Sequence, residues 1–139
     1  MQTLEGMIAP KFSLKNEAGE IISLDNFAGK KYVVLYFYPK DSTPGCTTEA
    51  CDFRDTHEAF ADLNAVILGV SADNEKDHTK FIEKHGLPFS LLVDDTHEVS
   101  EAYGVWKLTK INVMNCISKL KKSYLQMLLG YHLHTQLHY

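Results

Sequence analysis

A chain of 139 residues with 45% hydrophobic and 23% charged side chains has the size and balance of one soluble globular domain with its own core. Its apolar runs are too short to span a bilayer as a helix, and its first residues lack a basic segment followed by an apolar one, so a cytoplasmic protein without a secretory signal is expected. The net charge of −4 divides into −9 over residues 1–106 and +5 over residues 107–139, a contrast that fits either a basic tail for acidic partners or a tail of separate origin.

In chain order, residues 9–16 read as an extended segment, Gly19 as a turn and residues 21–24 as a short strand. Residues 31–38 are rich in β-branched and aromatic side chains and too short for a typical helix. They read as a strand buried on both faces and ended by Pro39. Residues 41–45, Asp-Ser-Thr-Pro-Gly, are a turn by composition. A long helix is predicted over about residues 46–63, with Phe53, His57, Phe60 and Leu63 at helical spacing. Residues 65–71 form a second buried strand. Residues 74–85 form a helix that Asn74 caps and that Gly86 with Pro88 stops. Residues 89–93 are a third strand, and residues 98–103 a short helix closed by Gly104. Strand, helix, strand, helix, strand predicts an α/β sandwich with parallel strands and right-handed crossovers. Beyond Trp106 no single period stands out. His132, His134 and His138 fit a loose tail better than a metal tract, and the tail lysines a solvated segment better than a nucleic-acid patch.

Three cysteines in a reducing compartment are candidates for catalysis, redox sensing or metal binding rather than a structural framework. Cys46 stands at the start of the predicted helix, just past a buried strand. The unpaired N–H groups of a first helical turn favour an anion and lower a cysteine's pKa. Ionisation alone is a limited gain. An ordinary thiol is roughly 3% thiolate at pH 7, so complete ionisation adds about 30-fold, and lower basicity takes part of that back. Groups that orient a substrate must supply the rest. Thr43 can offer a hydroxyl, and Pro39, with no N–H, fixes the backbone that walls the pocket. The plainer alternatives are a buried structural thiol at Cys46, a packing role for Cys51 and a turn-capping role for Thr43. A zinc site at Cys46 and Cys51 is disfavoured by a wide spacing with no second pair. Cys116 reads as an incidental thiol, and His57 and His85 as surface or packing residues.

Pro39-x-x-x-Thr43-x-x-Cys46 resembles the active-site signature of the peroxiredoxins. The longer string YFYPKDSTPGCTTEACDFRD, residues 36–55, resembles the bacterioferritin-comigratory, or Q-type, branch, as do GVSADN, KFIEKHGLPFSLLVDD and SEAYGVW further on. The resemblance runs over about residues 5–106. It implies a thioredoxin-like fold, a domain over residues 1–106 and a divergent basic tail over residues 107–139. It implies that Cys46 attacks a hydroperoxide and becomes a sulfenic acid, which Cys51 resolves as a disulfide. Thioredoxin or a similar dithiol would restore the thiols. No metal or organic cofactor, nucleic acid or membrane is implied, and a monomer is expected. Glu49 would either complement the helix dipole or orient an arginine, as in the family.

The family carries that arginine on a late strand, whereas this chain's sole arginine is Arg54, on the helix after Cys46. A shifted reading frame or a rearrangement near codon 107 would account for the tail. A catalytically impaired fragment is therefore one alternative function. A general thiol–disulfide oxidoreductase is another, disfavoured because such enzymes use a Cys-x-x-Cys pair.

Overall fold

The computed structural model describes residues 8–106, and every structural statement below concerns those residues. Strands β1 (Ser13–Asn16) and β2 (Ile21–Ser23) form an antiparallel hairpin around Gly19, whose φ of 79° suits a residue without a Cβ. Next come β3 (Tyr32–Phe37), helices α1 (Pro44–Asp55) and α2 (His57–Asp62), strand β4 (Ala65–Ser71), helix α3 (Glu75–His85), strand β5 (Ser90–Val93) and helix α4 (Glu98–Ala102). The five strands make one sheet in the order β2-β1-β5-β4-β3.

β3, β4 and β5 pair in parallel, as the alternation of strand and helix predicts. The hairpin adds two antiparallel pairings, β2 with β1 and β1 with β5, so the sheet as a whole is mixed. Successive strand residues face opposite sides, and each side carries its own core. Val33, Leu35 and Phe37 of β3 meet Leu68 and Val70 of β4 and Val99 of α4 on one side. Tyr36 and Ile67 meet Cys46, Ala50 and Phe53 of α1 and Phe81 of α3 on the other. The strand at residues 31–38 therefore contributes to both cores, as its unbroken apolar run suggests.

The single helix expected over residues 46–63 is instead two. It starts earlier, at Pro44, whose missing N–H costs nothing in a first turn. It breaks at Thr56, with φ −105° and ψ 4°. There the Asp52 carbonyl accepts both the Thr56 hydroxyl at 2.8 Å and the Thr56 N–H at 3.2 Å, a back-bonding that bends a helix. After the break, Leu63 no longer shares the buried stripe of Phe53 and Phe60 and is 46% exposed. The other boundaries follow their signals. Asn74 Oδ1 accepts from the Asp77 N–H at 2.9 Å at the head of α3, and Gly86 ends it with φ 60°.

Gly69 leaves room for its two neighbours' side chains on the sheet. It lies opposite Tyr36 on β3 and Leu91 on β5. A Cβ there would sit 2.7 Å from Leu91 Cδ2 and 2.8 Å from Tyr36 Cζ. Gly69→Ala is expected to destabilise the fold by about 1–3 kcal/mol through overpacking. Urea unfolding checks this, and an unchanged midpoint would mean that Tyr36 does not lean over this strand.

Candidate active site

The chain leaves β3 at Phe37 and enters α1 at Pro44 through a short connection. Thr43 is the last non-helical residue, with extended backbone at φ −77° and ψ 150°, and its carbonyl accepts from the Thr47 N–H at 2.8 Å to close the first turn. Its side chain does not cap the helix. The Thr43 hydroxyl donates to the Lys40 carbonyl at 3.1 Å, so its lone pairs are what it can offer an incoming O–H group. Pro39 is half-buried at the start of the connection.

Cys46 is the third residue of α1 and is 2% exposed, within the aromatic core of that side of the sheet. No acidic side chain occupies the first turn, so the field of its N–H groups meets no carboxylate there. Cys51 is half-buried, one and a half turns on, and the two cysteines are not bridged to one another. The structure thus brings Pro39, Thr43, Cys46 and Cys51 into one strand–turn–helix unit.

Glu49 departs from one of its expected roles. Because α1 begins at Pro44, Glu49 falls outside the first turn and cannot complement the dipole there. It is buried, and its Oε2 has no hydrogen-bond partner among the described residues. Burial, reinforced by the nearby charge of Asp52, raises its pKa from 4.5 to about 8, so it is mostly protonated at neutral pH. The Tyr36 hydroxyl is likewise buried without a partner among the described residues. Its ring stacks on Phe53 at 4.5 Å between centroids. Burial first, then the charges of Glu49, Asp41, Cys46 and Cys51, hold the Tyr36 phenol well above its ordinary range. Arg54 donates to Asp55 at 3.0 Å and to the carbonyl of His85 at 2.7 Å, tying α1 to the end of α3.

Asp41 and His78 drew no attention in the sequence, yet they form the most connected polar cluster behind the site. Asp41 Oδ1 accepts from the Tyr38 hydroxyl at 2.6 Å, and Oδ2 lies 2.7 Å from His78 Nδ1. His78 Nε2 lies 3.0 Å from the carbonyl of Leu92 on β5. The backbone N–H of Asp41 donates to Asp73 Oδ2 at 2.9 Å, which also accepts from the Ser71 hydroxyl. The available signal was weak: His78 stands three residues before Phe81, on the apolar face of α3. Asp41, Asp73 and His78 bring ligand-type atoms within 4.8 Å of one another. Those atoms are already engaged by the hydrogen bonds just described, so the cluster is organised as a network rather than as an open coordination shell.

The raised Glu49 pKa carries a linkage consequence. A group that holds its proton more tightly when folded stabilises fully below its unfolded pKa, and that contribution is lost as pH rises to the folded value. Between pH 4.5 and about 8, stability should fall by up to about 1.4 kcal/mol per pH unit, or about 3 kcal/mol by pH 7. Glu49→Gln, neutral throughout, should match the wild type near pH 4 and exceed it at pH 8. Urea melts at the two pH values test this, and parallel losses in both proteins would rule out a buried, protonated Glu49.

Comparison with known proteins agrees with this arrangement. Residues 6–122 match the AhpC/TSA family. The chain is 63% identical over 105 residues to Peroxiredoxin Bcp of Bacillus subtilis, covering 76% of this chain and 66% of that protein. It is 46% identical over 101 residues to the chloroplastic Peroxiredoxin Q of Triticum aestivum, covering 73% of this chain and 46% of that one. It thus spans less than two thirds of these relatives' length. Among solved structures, peroxidoxin BcpB of Mycobacterium tuberculosis is similar with a TM-score of 0.75 at 34% identity, over 85% of this chain and 75% of that one. The bacterioferritin comigratory protein of Xanthomonas campestris, studied for its alkyl peroxide reduction activity, is similar with a TM-score of 0.67 at 37% identity, over 86% of this chain and 68% of that one. The fold is the thioredoxin-like fold of peroxiredoxins, and the chain belongs to the AhpC/TSA family, where its similarity is to peroxiredoxins of the Bcp and Q type.

Proposed function

We propose that this chain is a thiol peroxidase that reduces hydrogen peroxide and organic hydroperoxides with Cys46 as the attacking residue. The observation that carries the proposal is the setting of Cys46, in the first turn of α1 and directly behind the Pro39-x-x-x-Thr43 turn that leaves β3. Similarity to proteins described as peroxiredoxins, one of them an alkyl peroxide reducer, supports it.

In the first step the Cys46 thiolate attacks one peroxide oxygen. A sulfur–oxygen bond forms, the oxygen–oxygen bond breaks, and the departing oxyanion takes a proton and leaves as water or an alcohol. Cys46 is oxidised to a sulfenic acid. The Thr43 hydroxyl, its own hydrogen turned to Lys40, can accept the peroxide O–H and hold the substrate in line. The Cys51 thiolate then attacks the Cys46 sulfur, a disulfide forms, and the sulfenic oxygen leaves as water. A dithiol reductant of the thioredoxin kind returns both thiols. These steps call on no metal or organic cofactor.

Helix geometry sets a mechanical condition on the second step. Both cysteines lie within α1. Residues five apart in an ideal α-helix have Cα atoms roughly 8.6 Å apart, whereas a disulfide rarely tolerates more than ~7 Å. The start of α1 must therefore open in each cycle, and Gly45, Thr47 and Thr48 make it less costly to open than alanine or leucine would.

A second reading, a weakened peroxidase, is favoured by one observation: Arg54 is engaged by Asp55 and by the His85 carbonyl. Loss of one preorganised donor from an anion-stabilising site costs about 100- to 1000-fold in rate.

Dimedone trapping and mass spectrometry test the scheme. After peroxide, Cys51→Ser is expected to accumulate a single sulfenic adduct at Cys46, and Cys46→Ser to form none. In wild-type protein, oxidation should abolish hydrogen-exchange protection at residues 46–51 while residues 52–55 keep theirs. An adduct that persists in Cys46→Ser would place the chemistry elsewhere.

A further inference from the structure

His78 is fully buried on α3, and its two ring nitrogens face two oxygens: Asp41 Oδ2 at 2.7 Å and the Leu92 carbonyl at 3.0 Å. A neutral imidazole has one N–H and would turn a lone pair toward one of these acceptors. A ring with both nitrogens protonated satisfies both, and its charge is matched by Asp41, whose other oxygen accepts from Tyr38. Burial by itself would push the imidazolium pKa down. The hydrogen bond and charge of Asp41, the Leu92 carbonyl and the charge of Asp73 outweigh it and hold His78 above its ordinary value.

The position of Asp41 makes this pair more than packing. Asp41 lies midway between Pro39 and Thr43, in the turn that delivers the chain to Cys46. It is held from the end of β3 by Tyr38, from the β4–α3 connection by Asp73 and from α3 by His78, which is itself fixed to β5. The next residue, Ser42, adopts φ 62°, a left-handed conformation that is unfavourable for a residue with a Cβ. Without these bonds the turn would relax toward an easier backbone and carry Thr43 with it.

We propose that His78 is a positioning residue: through Asp41 it holds the turn at residues 39–43, and with it Thr43, in register with Cys46. The inference rests on the peroxidase reading above, and it adds to that reading a residue on a different element, 32 positions from Cys46.

The test compares two reactions of Cys46 in the full chain, for wild type and His78→Gln. Oxidation by one equivalent of hydrogen peroxide needs an oriented pocket. Alkylation by iodoacetamide, mapped to Cys46 by peptide mass, needs only a thiolate. In folded His78→Gln, peroxide oxidation is expected to slow about 10- to 100-fold while alkylation changes far less. Equal effects on both reactions, or none on either, would overturn the positioning role. Nitrogen-15 NMR of the wild type at pH 7 stands if His78→Gln does not fold. A proton on His78 Nδ1, the nitrogen that faces Asp41, supports the proposal, and a bare Nδ1 overturns it. Failure of the underlying reading is distinguishable, because there wild-type Cys46 itself would react with peroxide no faster than a free cysteine.

Discussion

Asp41 is buried where the chain passes from β3 into α1, and a buried carboxylate is tolerated only with partners. Its partners come from four places in the fold: Tyr38, the Asp73 segment, α3, and β5 by way of His78. The same requirement that satisfies Asp41 therefore locks the turn before α1 to the parallel strands. The site comes directly after that turn. Thr43 becomes the residue before the helix, Pro44 the first helical residue, and Cys46 falls in the first turn with its side chain in the aromatic core.

The core beneath α1 works in two directions. Tyr36, Phe53 and Phe89 pack around one another and seat the helix on the sheet. The same core buries Glu49, whose Oε2 has no hydrogen-bond partner among the described residues, and whose ionisation the surroundings oppose. A helix held only by good packing would be a poor place for two cysteines that, on the proposed mechanism, meet outside helical geometry. A helix whose second turn carries a buried acid is less costly to open as pH rises, since an exposed carboxylate regains its hydration.

Elements whose signals are local were legible in the sequence. The β3 and β4 runs, the Asn74 cap, and Gly19, Gly86 and Gly104 at left-handed positions all speak through their neighbours along the chain. The proposed reactive segment reads from the sequence for the same reason, since Pro39, Thr43, Cys46 and Cys51 span few residues. What stayed hidden depends on distant partners or fine competition. The bend at Thr56 goes with one hydroxyl back-bonding to an Asp52 carbonyl that the Thr56 N–H also uses. The antiparallel seating of β1 on β5 joins segments whose pairing no periodicity announces. The Asp41–His78 pair spans 37 positions, and an aspartate in a turn reads as solvated until its partner is in view. Glu49 misled because the helix begins two residues before the expected start. Cys116, the tail expected to diverge over residues 107–139 and its three histidines lie outside the described residues.

The account stands on Cys46 being a peroxide-reactive thiol that Cys51 resolves. Counting thiols in reduced protein at intervals after one equivalent of hydrogen peroxide tests this most directly. The account predicts rapid loss of two thiols together, with a mass change of two hydrogens and no added oxygen. Loss of thiols no faster than from a free cysteine, or an oxygen retained on Cys46 without disulfide formation, would contradict it.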